Sequence, residues 1–245
     1  MIDTDPMEVR TQLGRTLTYG MLDALGRAIV IGTYEACSFP TEAELAKQHG
    51  VSRSVVREAL KMLAAKGLLT ARPKHGTIIQ PSSFWNLFDS DVLRWLLERN
   101  FSMELLRHFN QLRVAIEPEA AALAAVNADA NQRWAISAGL HRMEAAQLGQ
   151  DNALEADIAF HVAVLKASKN PFFAQLQDVV APALHRSIQF KNRIKGGSAN
   201  VADHAAVKDA IMRGDAEGAR VAMRKIIGEA LESIEDQVDE PNASS

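Results

Sequence analysis

Residues 41–80 read TEAELAKQHG VSRSVVREAL KMLAAKGLLT ARPKHGTIIQ. Thr41 is a residue type that caps helices, and Glu44 three positions later completes a capping box. Glycine ends helices because it adopts the left-handed backbone without strain, and Gly50 stands where this helix should stop. The sequence therefore predicts a short helix over residues 42–49.

A second helix is predicted over residues 53–66. Ser52 is its cap, its apolar residues recur at helical spacing, and Gly67 ends it. The residues expected to face the core are Val55, Val56, Ala59, Leu60 and Leu63. Two short helices joined by a tight glycine turn are typical of a helix-turn-helix.

A β-hairpin is predicted directly after these helices. Leu68-Leu69-Thr70 and Thr77-Ile78-Ile79 have strand-like composition and flank the polar turn Arg72-Pro73-Lys74-His75-Gly76. A hairpin in this position makes the segment a winged helix-turn-helix.

Charge is distributed unevenly along the chain. Residues 41–80 contain seven Lys or Arg and three acidic residues, whereas residues 82–245 contain 17 basic and 22 acidic residues. A basic segment joined to an acidic one is typical of a protein with a phosphate-facing module.

The start of the second helix carries polar and basic groups, Ser52, Arg53, Ser54 and Arg57. This end of a recognition helix enters the major groove, where Arg pairs with guanine and backbone N–H groups bind phosphate. Each residue taken alone also fits a solvated helix face. Their order along the segment favours double-stranded DNA as the partner.

The same stretch resembles the GntR family of transcription regulators, through Phe39-Pro-Thr-Glu-Ala-Glu-Leu-Ala46, Gly50-Val-Ser-Arg53, Val56-Arg-Glu-Ala-Leu60, Gly67-Leu68 and Gly76. The resemblance implies DNA contacts at Ser52, Arg53, Ser54, Arg57, His75 and Gly76. Many members have Arg where this chain has Ala43, which leaves the operator sequence open.

The remaining segments read as helices. A first helix is predicted over about 15–31, with Leu17, Met21, Leu25 and Ile29 on its core face. Further helices are predicted at about 84–98, 102–127, 130–148, 151–168, 172–195, 200–213 and 215–236, with Pro118 and Pro182 kinking two of them.

The predicted fold is mostly α, a winged helix-turn-helix followed by an all-α antiparallel helical bundle. The expected divisions are a DNA-binding domain at 1–80, a linker helix at 81–98, a sensing domain at 99–238 and a disordered tail at 239–245. A single cysteine, Cys37, and the lack of a signal peptide or a long apolar run indicate a cytoplasmic protein.

Asp157 and His161 lie four residues apart and so share one helix face with apolar residues. A charged Asp on a core-facing stripe is costly unless it is paired or binds a metal. His204 lies on another apolar stripe. The pattern can chelate a divalent ion, although a lone histidine is more often a surface or core residue.

The C-terminal half resembles the helical sensor domain of FadR-like GntR regulators, through Arg113–Glu117, Asp157–His161, Asn170-Pro171 and His204 with Gly214-Asp215. The resemblance implies a divalent metal such as Zn²⁺ on Asp157, His161 and His204, with a carboxylate effector completing its coordination. The fourth family ligand falls at Ile226, so either a three-ligand site or a metal-free pocket is expected. His185 is a weak substitute.

Arg113 matches the family's arginine for the effector carboxylate, since a guanidinium makes two parallel charged hydrogen bonds. The resemblance therefore implies a ligand site at Arg113, Asp157, His161 and His204. The alternative is an Arg113–Glu117 pair on a solvated face.

The segment Trp85-Asn-Leu-Phe88-Asp-Ser-Asp-Val-Leu-Arg-Trp95 is similar to the linker helix of regulators of sugar-acid catabolism, of the galactonate-operon type. It implies a sugar acid or hydroxy acid as effector and a repressor of a catabolic operon. Its aromatic residues are otherwise interdomain packing. A homodimer is expected, because one winged helix reads too few base pairs for selectivity.

Two other classes of function fit parts of the pattern. A metal-dependent enzyme would use Asp157, His161 and His204 with open coordination positions, but no nucleophile elbow, P-loop or cofactor turn accompanies them. A constitutive DNA-binding protein would leave the helical half without a role. No catalytic residue is therefore predicted.

Overall fold

The computed structural model describes residues 6–34, 38–72, 76–99, 103–181, 184–185 and 200–239. The chain divides into two units, Met1–Asn100 and Phe101–Ser245. Cys37, His75, Pro182 and the predicted tail after residue 239 lie outside the described residues.

The first unit is a winged helix-turn-helix, and this prediction is confirmed. Its elements are α1 Pro6–Val30, α2 Glu42–His49, α3 Arg53–Ala65, β1 Leu69–Arg72, β2 Gly76–Ile79, a 3-10 helix Ser82–Phe84 and α4 Ser90–Arg99. The two strands pair antiparallel, with Leu69 opposite Ile79 and Arg72 opposite Gly76. They form the predicted wing.

The helix-turn-helix is set by its caps. The Thr41 backbone N–H donates to Glu44 Oε2 at 2.8 Å, and the Glu44 N–H donates to Thr41 Oγ1 at 3.3 Å, which is the predicted capping box. Gly50 ends α2 at φ 64°, and Ser52 accepts from the N–H of Val55 at the start of α3. The predicted caps are confirmed.

Helix α1 differs from its prediction at its N-terminal end. It begins at Pro6, well before the predicted start, and Leu17 is 49% exposed where a core position was expected. The buried face runs through Met21, Leu25 and Ile29. A spacing of four drifts around a helix of 3.6 residues per turn, which carries Leu17 off the buried face.

The predicted helix at 84–98 is wrong over its first turns, because α4 begins only at Ser90. Asp89 Oδ1 accepts hydrogen bonds from the N–H groups of Asp91 and Val92, so Asp89 caps the helix and separates it from the residues before it. The side chain of Asn86 likewise accepts from the N–H of Phe88, which closes a local turn.

The second unit is all-helical, as predicted. Its elements are α5 Met103–Asn127, α6 Ala130–Gln147, α7 Ala153–Ala167, α8 Pro171–Gln175, helical residues at 177–181 and 184–185, α9 Val201–Arg213 and α10 Ala216–Asp239. Helix α5 packs along α10 and α7, and α9 packs against α6 and α10. Small alanines dominate the α5 face, which lets these helices approach closely.

Two details of this unit concern predicted helices. Helix α5 continues through Pro118. The helix predicted at 172–195 is interrupted at Leu176, whose N–H donates to the carbonyl of Phe173 three residues back and ends α8. Its residues 182–183 and 186–195 lie outside the described residues.

Gly26→Ala should destabilise the first unit. An added methyl at Gly26 would lie 2.3 Å from the ring of Trp95, which is only 1% exposed, and overpacking of this kind costs about 1–3 kcal/mol. Thermal and denaturant unfolding measure the change in the free energy of unfolding.

Gly20→Ala on the same helix is the matched control. A methyl there meets none of the described atoms within 4 Å, so it should stabilise α1 by about 0.5–1 kcal/mol. Equal effects from the two variants would contradict the packing of Trp95 on Gly26.

Candidate functional site

The residues predicted to contact DNA lie together at the start of α3. Ser52, Arg53 and Ser54 are exposed, and the Oγ atoms of Ser52 and Ser54 are 2.8 Å apart. This end of the helix also presents the backbone N–H groups of Arg53 and Ser54, which precede the first hydrogen bond within the helix. The arrangement offers hydroxyl groups, one guanidinium and backbone donors to a polyanion.

Arg57 lies one turn further along α3 and is held by an acid on α2. Its Nη2 donates to Glu42 Oε2 at 3.0 Å, and its Nε lies 3.2 Å from the same oxygen, while the guanidinium remains half exposed. The ion pair fixes the direction of the Arg57 side chain, and the Glu42 carboxylate offsets its positive charge. Sequence reasoning did not find Glu42 as its partner.

The wing contributes Gly76, which is exposed and has φ 76°. Any other residue would be strained in this conformation. His75, also predicted as a contact, lies outside the described residues.

The predicted sensor residues come together from three helices inside the second unit. Helix α7 supplies Asp157 and His161, α9 supplies His204 and α5 supplies Arg113, and all four side chains are buried. His161 Nε2 lies 3.3 Å and His204 Nε2 lies 3.1 Å from Asp157 Oδ1. The three predicted metal ligands therefore converge on one point.

The ring of His204 is oriented by the cap of its own helix. Its Nδ1 lies 2.8 Å from the carbonyl oxygen of Asn200, which can only accept, so Nδ1 carries the proton. With Nδ1 engaged in this way, Nε2 is the ring atom that faces the Asp157 carboxylate. In the described part of the chain, Asp157 Oδ1 and His204 Nε2 are buried without a hydrogen bond. A cation between them, either a proton on Nε2 or a metal ion, satisfies both atoms.

The donor set fits a small divalent ion. Ligand atoms of Asp157, His161 and His204 all lie within 4.8 Å of one another. Two ligands about 2.0–2.1 Å from Zn²⁺ at tetrahedral angles are about 3.3 Å apart, close to the two Asp–His separations. Imidazole nitrogen and carboxylate oxygen are ordinary zinc ligands. The orphaned oxygen and nitrogen are thus the atoms that a metal would satisfy.

Glu117 is a further member of the cluster that sequence reasoning treated only as a partner of Arg113. Its Oε1 accepts from Arg113 Nε at 2.6 Å, and its Oε2 lies 2.5 Å from His161 Nδ1. Arg113 also donates to the side chain of Asn110. Glu117 is 1% exposed, so the predicted solvated pair exists as a buried one. The four-residue spacing of Glu117 from Arg113 was the feature of the sequence that indicated the pair.

The electrostatics of the cluster are strongly coupled. Burial disfavours ionisation of Glu117, but Arg113 and His161 outweigh it and lower the pKa of Glu117 to about 2. Burial likewise opposes ionisation of Asp157, but the two imidazoles hold its pKa well below its usual range. Burial disfavours a charged His161, yet Glu117 and Asp157 raise its pKa to about 9. Without a metal, His161 is therefore protonated at neutral pH.

Two other positions considered for metal binding contribute no ligand to this group. Ile226 is half-buried and packs against the core of the unit. His185 is not a member of the cluster that the described residues form.

Comparison with known proteins places both units. Residues 22–79 match the gntR family of bacterial regulatory proteins, and residues 109–229 match the FCD domain. The HTH-type transcriptional regulator YieP of Escherichia coli K12 is 34% identical over 220 residues, spanning 87% of this chain and 93% of that protein. The chain belongs to the GntR family.

Other relatives agree with this assignment. The galactonate operon transcriptional repressor of E. coli K12 is 32% identical over 217 residues, spanning 86% of this chain and 94% of that protein. The solved structure of E. coli McbR/YncC covers 91% of this chain and 99% of that chain with a TM-score of 0.52 and 18% identity, which shows a shared fold.

Membership of the GntR family settles the class of function. The chain is a DNA-binding transcription regulator with an FCD domain, and the enzyme alternative is rejected because the matching family and the relatives are regulators. In the described residues no helix is both long and apolar enough to cross a membrane.

Binding of Zn²⁺ should release about one proton per chain at pH 7.5, because His161 must lose its Nε2 proton to become a ligand. Apparent affinity should rise by up to about tenfold per pH unit until about pH 9, where His161 loses that proton unaided. Calorimetry in buffers of different ionisation enthalpy counts the protons.

Asp157→Asn should weaken Zn²⁺ binding by at least the roughly 10- to 100-fold that loss of an outer-shell partner costs. His141→Ala, which changes an exposed histidine of α6, is the control and should bind as wild type does. Undiminished binding by Asp157→Asn would place the metal elsewhere.

Proposed function

We propose that this GntR regulator represses a sugar-acid or hydroxy-acid catabolic operon in the cytoplasm. A small carboxylate bound in the FCD domain releases it from its operator. The observation that carries the proposal is the buried cluster of Asp157, His161 and His204 beside Arg113. The name of the galactonate operon repressor supports the class of effector.

We propose that Asp157, His161 and His204 hold a divalent ion such as Zn²⁺. When bound, this ion supplies positive charge and open coordination positions for oxygen atoms of the effector. With Ile226 in place of a fourth protein ligand, more positions remain for water or effector. No other cofactor is proposed.

Arg113 is the residue proposed to bind the effector carboxylate. It uses Nε for Glu117 and Nη1 for Asn110, and its other N–H groups make no hydrogen bond to the described residues. The remaining N–H groups of a guanidinium suit a carboxylate, because their hydrogen bonds to it are charge-assisted. Because Arg113 is buried, its attraction for an anion is little screened by salt.

DNA contacts are proposed at Ser52, Arg53, Ser54, Arg57, His75 and Gly76. Residues 1–80 are proposed to bind DNA and residues 99–238 to bind the effector. Residues 81–98 are proposed to transmit the effect of effector binding to the DNA-binding domain.

The effect of effector binding is proposed to reach the DNA through the attachment of α4 to the recognition helix α3. Lys66, directly after α3, contacts Asp89 at 2.7 Å and Asp91 at 3.0 Å, and its carbonyl accepts from the N–H of Asn86. A displacement of α4 is then passed to α3. A coupling of about 1–3 kcal/mol changes operator occupancy by roughly 5- to 150-fold.

A homodimer is proposed as the DNA-binding form. Two winged helix-turn-helix domains read two half-sites, which gives a selectivity that one domain alone lacks. Trp134 is 72% exposed on α6, which is unusual for so large an apolar side chain and suits an interface.

Arg53→Ala should weaken operator binding by about 1–3 kcal/mol and relax sequence preference at one base pair of each half-site, since Arg53 is proposed to read a base. Fluorescence anisotropy with operator and scrambled DNA at several salt concentrations measures both quantities and the number of chains per operator.

Lys47→Ala is the matched comparison, because an exposed lysine of α2 is expected to contact phosphate alone. It should weaken all sequences about equally and lower the salt slope by about one. Unchanged operator affinity after Arg53→Ala would refute the docking of α3.

Arg113→Gln and His161→Ala should fold and bind operator DNA but lose most of the release by sugar acids, because each removes a proposed effector or metal contact. The comparison is a titration of operator complexes with aldonates and hydroxy acids in the presence of Zn²⁺. Circular dichroism checks folding, since unpairing a buried ion pair costs about 3–5 kcal/mol.

Arg142→Gln serves as the control for Arg113→Gln. It also breaks an arginine–acid pair, with Asp151, but at the exposed surface of α6. It should respond to acids as wild type does. A normal response by Arg113→Gln and His161→Ala would place the effector outside this cluster.

A further inference from the structure

Glu117 holds a position in the sensor cluster that metal or effector binding alone does not explain. Both of its oxygens are occupied, one by Arg113 at 2.6 Å and the other by His161 at 2.5 Å. It is therefore not free to serve as a ligand. It nevertheless adds a full negative charge to a site closed to water, where its side chain is 2% exposed.

The charges of the contacting groups can be summed. Asp157 and Glu117 contribute two negative charges and Arg113 one positive charge, and the imidazoles of His161 and His204 are neutral when their Nε2 atoms serve as metal ligands. The protein groups together carry one negative charge. A bound divalent ion makes the total one positive charge.

An uncompensated charge in such a site is costly, so the preferred ligand brings the compensating charge with it. One carboxylate neutralises the metal-loaded cluster, whereas two carboxylates leave a net negative charge. We propose that Glu117 sets the charge of the effector and makes this FCD domain select monocarboxylates over dicarboxylates. The inference rests on the proposed function of the cluster.

Glu117 is a specificity-determining residue in this proposal, and the geometry supports its role. By taking Arg113 Nε, while Nη1 donates to Asn110, it leaves only the remaining Nη N–H groups of the guanidinium for a single carboxylate. By accepting from His161 Nδ1 it directs Nε2 toward Asp157, so the same side chain fixes both the ligand's charge and the metal face.

The test compares acids that differ by one carboxylate. One pair is D-galactonate and galactarate, and the other is lactate and tartronate. Calorimetry on the Zn²⁺-loaded protein gives the ratio of Kd for the diacid to Kd for the monoacid. Wild type should favour the monoacid of the pair it binds. Glu117→Gln should shift the ratio toward the diacid by at least about tenfold, about 1.4 kcal/mol.

Two further variants separate charge from structure. Arg113→Gln/Glu117→Gln removes one charge of each sign and leaves no unpaired buried arginine. It should restore the wild-type ratio at weaker absolute affinity. Glu119→Gln removes an exposed charge two residues away, paired with Arg220, and should leave the ratio unchanged.

Each outcome bears on the proposal. A wild-type ratio in Glu117→Gln, a shifted ratio in the double variant, or a wild-type preference for diacids would overturn the role of Glu117 and leave the sensor site standing. Failure of the Zn²⁺-loaded wild type to bind any of these acids would overturn the proposed function and this inference together.

Discussion

The second unit is organised around one carboxylate oxygen, Oδ1 of Asp157, which lies between two imidazole nitrogens in a site closed to water. Neither imidazole can satisfy this oxygen unless its own Nε2 carries a proton, and the Nδ1 contact of His204 with a carbonyl already uses the proton of its neutral form. A buried anion in this setting needs a cation. A proton on His161 or a bound divalent ion would each supply that cation.

The surrounding helices make that choice possible by fixing both rings from behind. Glu117 on α5 holds His161, and the Asn200 carbonyl before α9 holds His204. Each contact engages Nδ1 and leaves Nε2 directed at Asp157. Because α5, α7 and α9 all contribute, the geometry of the cluster depends on how these helices pack. A ligand that changes the cluster must therefore act on the packing of the bundle.

Local chemistry made the winged helix-turn-helix predictable from sequence. Thr41, Ser52 and Gly50 are short-range signals whose meaning depends on neighbours within four residues, and each appears in the structure as expected. The start of α4 was misplaced because the hydrophobic pattern through Trp85 and Phe88 continues past the cap that Asp89 forms.

The cluster could be predicted only in part. Periodicity places Asp157 and His161 on one face, and resemblance adds His204 and Arg113. Neither shows that Glu117 is buried, because an Arg and a Glu four residues apart look the same on an exposed helix as on one covered by α7 and α10. The deciding fact is which face of α5 the other helices cover, and that is set by tertiary packing.

Helix α4 is attached to both α1 and the end of α3, and this limits how it can move. Trp95 of α4 donates to Asp23 of α1 at 2.8 Å and fills the space that Gly26 leaves open, while Lys66 holds the start of α4 beside the end of α3. Helix α4 is thus held at its start by Lys66 and at its middle through Trp95. We infer that α4 does not move separately from the recognition helix, so the effector response proposed above would displace the winged helix-turn-helix as a whole. In the proposed dimer such a displacement would change the spacing of the two recognition helices, which must match half-sites about 34–36 Å apart. A mismatch in that spacing would weaken operator binding without any change in the fold of the winged helix-turn-helix.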